Sequence, residues 1–259
     1  MNWFLEQSID YASQRSYLDD LFKVYPTIPN GIREIDRAKW KRVEAAYNST
    51  DNHALIMNLL DLEIFPIKDS YVAFLKKDRS ALVRNPKTVN RLAAEIREIE
   101  LGNLYEKCSQ PKETNRQIGP MFKNWVKSGA LGFPTLCLED FKSTNGNAIL
   151  NASDKEMEDF ARQKLDYTHE KGLDFLARIS GQFVIGEAKF LSDTGGHQNA
   201  QFNDAIATLE SHANAIKIAI LDGVVYIKGR GKMYKDVTGR HSEHNIMSTL
   251  LLRSFLNSI

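Results

Sequence analysis

Cysteine is scarce in this sequence. Only Cys108 and Cys137 occur among 259 residues, far apart and without a CxxC spacing. That pattern fits a reducing cytoplasm and argues against a structural zinc site. Long apolar runs are also missing, and none approaches the roughly 20 residues that span a bilayer. The opening MNWFLEQSIDYASQRS carries acids and no basic-then-apolar pattern, so a signal peptide is not expected. There is no internal repeat and no low-complexity tract. Net charge is nearly absent too, at +1 from 34 basic and 33 acidic residues. Contact with a polyanion would therefore need a local patch. One stretch qualifies: KGRGKMYKDVTGR, residues 228–240, has five basic residues and one acid. Its GRGK lacks the GxxxxGK[ST] spacing of a Walker A loop.

What is present is an ordinary globular composition, 42% hydrophobic and 26% charged, long enough to bury a sizeable core. The first half reads as helical. Asn85-Pro86 followed by KTVNRLAAEIREIEL has a capping Asn, proline at the first helical position and Gly102 beyond the end. A shorter helix covers PMFKNWVKSG and stops at Gly129, and SQPKETNRQIGP between the two reads as a loop. From about residue 150 the pattern changes. Ser153 with Glu156 three residues on is a capping-box signature. Strands GLDFLARI and QFVIGEAKFL follow, then loop SDTGGHQN and a helix over about 200–213. Strands IKIAIL and VVYIK come next, turning at Asp222-Gly223, with a last helix over about 245–256. This predicts a mixed α+β (α/β) fold, a mixed sheet flanked by helices. A largely helical region spans 1–149, and a core spans 150–259.

The hairpin carries the chemistry. If Ser180-Gly181 is its two-residue turn, partners across it have numbers summing to 361, which sets Asp174 opposite Glu187 with Cβ atoms about 5 Å apart. Lys189, two residues beyond Glu187, shares their face. Like charges facing each other on a sheet destabilise it and resist joint ionisation. A cation relieves this, and two carboxylates with a backbone carbonyl and waters make a typical magnesium site. Beside an amine, such a site suits in-line attack on a phosphodiester. A strand-edge salt bridge is the plainer reading, but FVIGEAKF is apolar on both sides of the charges. The similar Asp140-Phe141-Lys142 lacks both an apolar strand and an acid placed across a hairpin.

Asp174, twelve residues, then Glu187-Ala188-Lys189 at the end of an apolar strand resembles the PD-(D/E)xK nuclease superfamily. The resemblance covers roughly residues 150–230. In size, and in lacking any helicase or ATPase motif, the whole chain looks most like a type II restriction endonuclease. The resemblance implies a restriction-endonuclease-like core and a magnesium-dependent, sequence-specific endodeoxyribonuclease acting on double-stranded DNA. It implies Mg2+ held by Asp174, Glu187 and the Ala188 carbonyl, with Lys189 positioning or activating the attacking water. A homodimer, a cognate DNA methyltransferase as genetic partner and a prokaryotic cytoplasm also follow from it. Leu173 stands where the superfamily pattern has proline. An upstream helical glutamate often joins such sites, and Glu156, Glu158 and Glu170 are the candidates. A repair nuclease with the same core, or an inactive DNA-binding relative, are the alternatives.

Other residues are weighed for DNA contact. In HQNAQFN, Gln198, Asn199 and Gln201 read adenine or hold phosphates, or else form a polar loop and cap. Lys228, Arg230, Lys232 and Arg240 of the basic stretch are expected to touch phosphates. Arg84, Lys87, Asn90 and Arg91 could recognise bases, although a solvated helix face is the commoner explanation. His241 and His244, without a Cys or HExxH partner, read as capping or surface residues.

Overall fold

A computed structural model describes residues 1–14, 16–26, 34–110, 117–229 and 231–259. Helices α1 (Trp3–Ala12) and α2 (Tyr17–Val24) open the chain. They are followed by α3 (Arg37–Asn48), α4 (Asn52–Leu60), α5 (Val72–Lys77), α6 (Ala81–Arg84), α7 (Pro86–Arg97) and α8 (Leu101–Cys108). Next come α9 (Ile118–Lys127), β1 (Thr135–Leu136), α10 (Leu138–Ser143), β2 (Ala148–Leu150), α11 (Asp154–Lys164), β3 (Phe175–Ile179) and β4 (Gln182–Leu191). The last elements are α12 (Gly196–Glu210), β5 (Ile216–Gly223), α13 (Lys232–Thr238), β6 (Ile246–Met247) and α14 (Thr249–Asn257). Among the described residues no helix is long and apolar enough to cross a membrane.

The six strands form one mixed sheet in sequential order. β1 and β2 are parallel, β2–β3 and β3–β4 antiparallel, and β4–β5 and β5–β6 parallel. The architecture is thus the mixed α/β class that the pattern predicts. Two compact units make it up: Met1–Thr27 with Thr114–Ile259, and Ile28–Glu113. The boundary expected between 149 and 150 falls inside the first unit. β1 and β2 are too short to show a strand period, yet they extend the sheet, and Leu5, Ile9, Tyr17 and Leu21 of α1 and α2 share a core with Val184, Ile218 and Ile220. The second unit has its own core, built from Val43 of α3, Leu55 and Leu59 of α4, Leu92 and Ile96 of α7 and Leu104 of α8.

Several local expectations shift. The capping box at Ser153 forms, and its Oγ accepts from the Glu156 amide, but α11, expected to run through about Tyr167, ends at Lys164. α7 ends at Arg97, and Gly102 lies inside α8 instead of terminating the earlier helix. α12 begins at Gly196, inside the stretch read as a loop. Val224–Tyr226 is a 3-10 turn and not a strand, so no hairpin follows β5 and its further neighbour is β6. Gly223 explains this. Its φ of 93° and its approach to the Leu191 carbonyl, where an added Cβ would meet the oxygen at 2.2 Å, turn the chain out of the sheet. Part of the basic stretch is the helix α13.

Candidate active site

The β3–β4 hairpin turns at Ser180-Gly181, both with positive φ (48° and 79°), as a two-residue turn of the twist-compatible kind requires. The register runs from Ile179 opposite Gln182 to Phe175 opposite Gly186, the pairing expected from the turn. One step further, the Asp174 amide donates to the Gly186 carbonyl at 3.1 Å, so Asp174 arrives beside Glu187. Side-chain alternation then places Asp174, Leu176, Ile185, Glu187 and Lys189 on one face. Leu176 and Ile185 pack there against Met157 and Phe160 of α11.

The charges converge as the spacing implies. Lys189 Nζ donates to Asp174 Oδ2 at 2.6 Å and to Glu187 Oε2 at 2.5 Å, and the Ala188 amide donates to Asp174 Oδ2 at 3.0 Å. The side chains are 18% exposed at Lys189, 16% at Asp174 and 1% at Glu187. Burial and the neighbouring Asp174 charge push the Glu187 carboxyl up to about 9. Burial also raises Asp174, but the Glu187 hydrogen bond, the Lys189 charge and the Ala188 amide outweigh it and hold Asp174 below its ordinary value. Burial works against the Lys189 ammonium, yet the two carboxylates win and raise it. Burial and their mutual charge thus push the titrations of the two acids apart, with one ammonium set between them.

The fit to a cation rests on one atom. Glu187 Oε1 is buried and has no hydrogen-bond partner among the described residues, which is costly unless a donor or a cation occupies the space beside it. Two carboxylates with a hard-oxygen donor set suit magnesium better than zinc. Among the described residues no third His, Cys, Asp or Glu completes a metal-holding cluster. Of the upstream glutamates, Glu156 is committed to Ser153 and Glu170 is exposed, 3.7 Å from Arg162. Glu158 alone is buried, on the helix that covers the site's face, and it pairs with Lys155 and Arg162. The Tyr167 hydroxyl, raised to about 12 by burial, also feels the charges of Glu187 and Glu158. No spacing in the sequence marks Tyr167, which reaches this neighbourhood through tertiary packing alone.

The residues weighed for DNA contact are scattered in environment. Gln198 is buried and donates to Ser192 Oγ at 3.2 Å. Asn199 donates to the carbonyls of Thr194 and Gly195, a local brace at the start of α12. Gln201 is half-buried on the same helix. Lys228 pairs with Asp10 and Arg240 with Glu210, each at 3.5 Å, whereas Lys232 is exposed at the start of α13. Arg230 lies outside the described residues. His241 is buried, 3.8 Å from Glu210, and is not a surface residue. Arg84 is bound to Asp78 and Ser80, Asn90 to Asn52, and Arg91 to Asp69 and Glu95, which leaves Lys87 exposed without an ion pair to any described residue.

A family model described as Tsp45I type II restriction enzyme matches residues 2–259. No curated protein and no solved structure matches the chain.

Proposed function

The chain belongs to the Tsp45I type II restriction enzyme family, making it a sequence-specific DNA endonuclease, and we propose that it cuts through a divalent-metal site of the PD-(D/E)xK kind. Asp174, Glu187 and the Ala188 carbonyl would hold the ion, and Mg2+ fits their oxygen donors. When bound, the ion supplies Lewis-acid charge at the scissile phosphate. Glu187 Oε1, buried and unpartnered beside Asp174 and Lys189, is the observation that carries this reading.

The chain's own residues divide the remaining work. The hairpin register presents the two carboxylates side by side. Leu176, Ile185, Met157 and Phe160 exclude water from one flank, so charges act there at greater strength than in bulk solvent. Lys189 carries its proton firmly in the carboxylate field. It would serve as a donor that orients the attacking water and offsets developing phosphate charge. Glu158 is the upstream acid best placed to join, on burial and on the face it shares.

A plasmid digest tests the metal. With chelator present the DNA should stay supercoiled, and added magnesium should release discrete fragments. Identical fragments in chelator would sink the proposal. Cutting both strands of a palindromic site further points to a homodimer with one such site per protomer, with a cognate methyltransferase protecting the host DNA in a prokaryotic cytoplasm. Sedimentation should show twice the chain mass at micromolar concentration, and a monomer bound to a single duplex would contradict the dimer.

A further inference from the structure

Within the helical unit, α3 differs from the other helices in what it leaves unpaired. Its sequence RAKWKRVEAAYN carries four cations in the first six positions, Arg37, Lys39, Lys41 and Arg42. Asp36 caps it, accepting from the Lys39 amide at 2.9 Å. Val43 and Ala46 are buried and fix which side faces the core. With Trp40 and Tyr47 also half-buried, the helical period then places Ala38, Lys41 and Ala45 on the outer side, with Arg37 and Arg42 at its two edges, and all five are exposed. No acid interrupts this face: Glu44, the one acid within the helix, is half-buried and accepts from Trp40 Nε1 at 2.9 Å. The neighbouring Glu34 and Asp36 lie with Lys39, Leu62 and Cys108 around a separate cavity on the other flank.

Arg37, Lys41 and Arg42 make neither an ion pair nor a side-chain hydrogen bond with any described residue. Surface cations usually find a partner where one is offered, as Arg84 and Arg91 do on α6 and α7. Three unpaired cations around two alanines make a smooth, positive ridge of helical width. A helix of that diameter enters the major groove of B-form DNA, where flanking cations reach phosphates on either side. The alanines leave nothing to hold the helix backbone away.

Resting on the nuclease reading above, we propose that the outer face of α3 docks on duplex DNA, with Arg37, Lys41 and Arg42 contacting its phosphates. This assigns DNA contact to a helix that the sequence pattern did not single out, in place of the already paired Arg84 and Arg91.

Binding of the full-length protein to a short random-sequence duplex, in chelator and across a salt series, tests the assignment. Each cation withdrawn from a phosphate lowers the log–log salt slope by about 0.9, so Arg37→Gln/Lys41→Gln/Arg42→Gln should lower it by about 2 to 3. A fall of about one unit or more supports the docking helix, and a smaller change overturns it. Ala38→Glu, a single change that sets a carboxylate among the cations, should weaken binding at least about tenfold; unchanged affinity would count equally against the proposal. Wild-type plasmid cleavage with magnesium is scored separately. Cutting by the wild type with unaltered binding by both variants removes α3 alone, whereas no cutting by the wild type removes the nuclease reading.

Discussion

Lys189→Met should reduce DNA cleavage by about a thousandfold or more, the scale expected when a charge-stabilising donor leaves a water-excluded site. The side chain is close to lysine in length, so packing against the hairpin is largely kept. What disappears is the ammonium that bonds Asp174 at 2.6 Å and Glu187 at 2.5 Å. The same change leaves two buried acids facing each other without their cation. Breaking a buried ionic arrangement from one side typically costs about 3–5 kcal/mol. The variant should therefore melt well below the wild type in chelator. Added magnesium should recover more of this loss in the variant than it stabilises the wild type, because a bound cation replaces the missing charge. A merely structural lysine would not give that differential recovery. Cleavage within about tenfold of the wild type, by a variant whose circular dichroism shows it folded, would exclude Lys189 from the chemistry.

The second large effect lies on the other side of the sheet. Asp222 at the end of β5 is fully buried and gathers hydroxyls from distant segments. Ser248 and Thr249 each donate at 2.5 Å, Tyr25 at 3.1 Å and Tyr17 at 3.4 Å. The Thr249 amide adds a bond at 3.3 Å. This carboxylate ties α2 and the start of α14 to β5. Asp222→Ala should destabilise the fold by about 3–5 kcal/mol, since it opens a cavity and strands several buried donors. Urea denaturation at neutral pH measures it, and a loss under about 1 kcal/mol would show that the network contributes little.

The pH dependence has a definite sign. Burial raises the Asp222 carboxyl from 3.8 to about 6, although the hydroxyl and amide donors pull the other way. A folded-state value above the unfolded one means that the contribution is fully present below about pH 4. It is lost as pH rises through about 6, up to about 3 kcal/mol over that window. Asp222→Asn, which cannot ionise, should flatten this part of the stability–pH curve. An unchanged slope would assign the dependence to other groups.

The hairpin that carries the acid–acid–lysine set was legible because both of its determinants are local. A two-residue turn sets the register, and side-chain alternation carries that register to Asp174, Glu187 and Lys189. The capping box at Ser153 was legible for the same reason: its partners are three residues apart. Features that depend on distant contacts were not. Val224–Tyr226 has strand-like composition, yet Gly223 against Leu191 turns it aside, and that approach joins positions far apart in sequence. Burial singles out Glu158 from Glu156 and Glu170, although all three look alike as acids near a helix.

The amino-acid sequence by itself determined the family-like acid–acid–lysine set and its convergence on one face of one hairpin, since backbone geometry alone relates those positions. Tertiary structure decided that α1 and α2 belong with the sheet, through Tyr17 and Tyr25 on Asp222. It also decided which cations of the helical unit stay unpaired. A charge becomes available to a ligand only when folding brings no opposite charge to it, and that outcome rests on long-range packing, not on spacing along the chain.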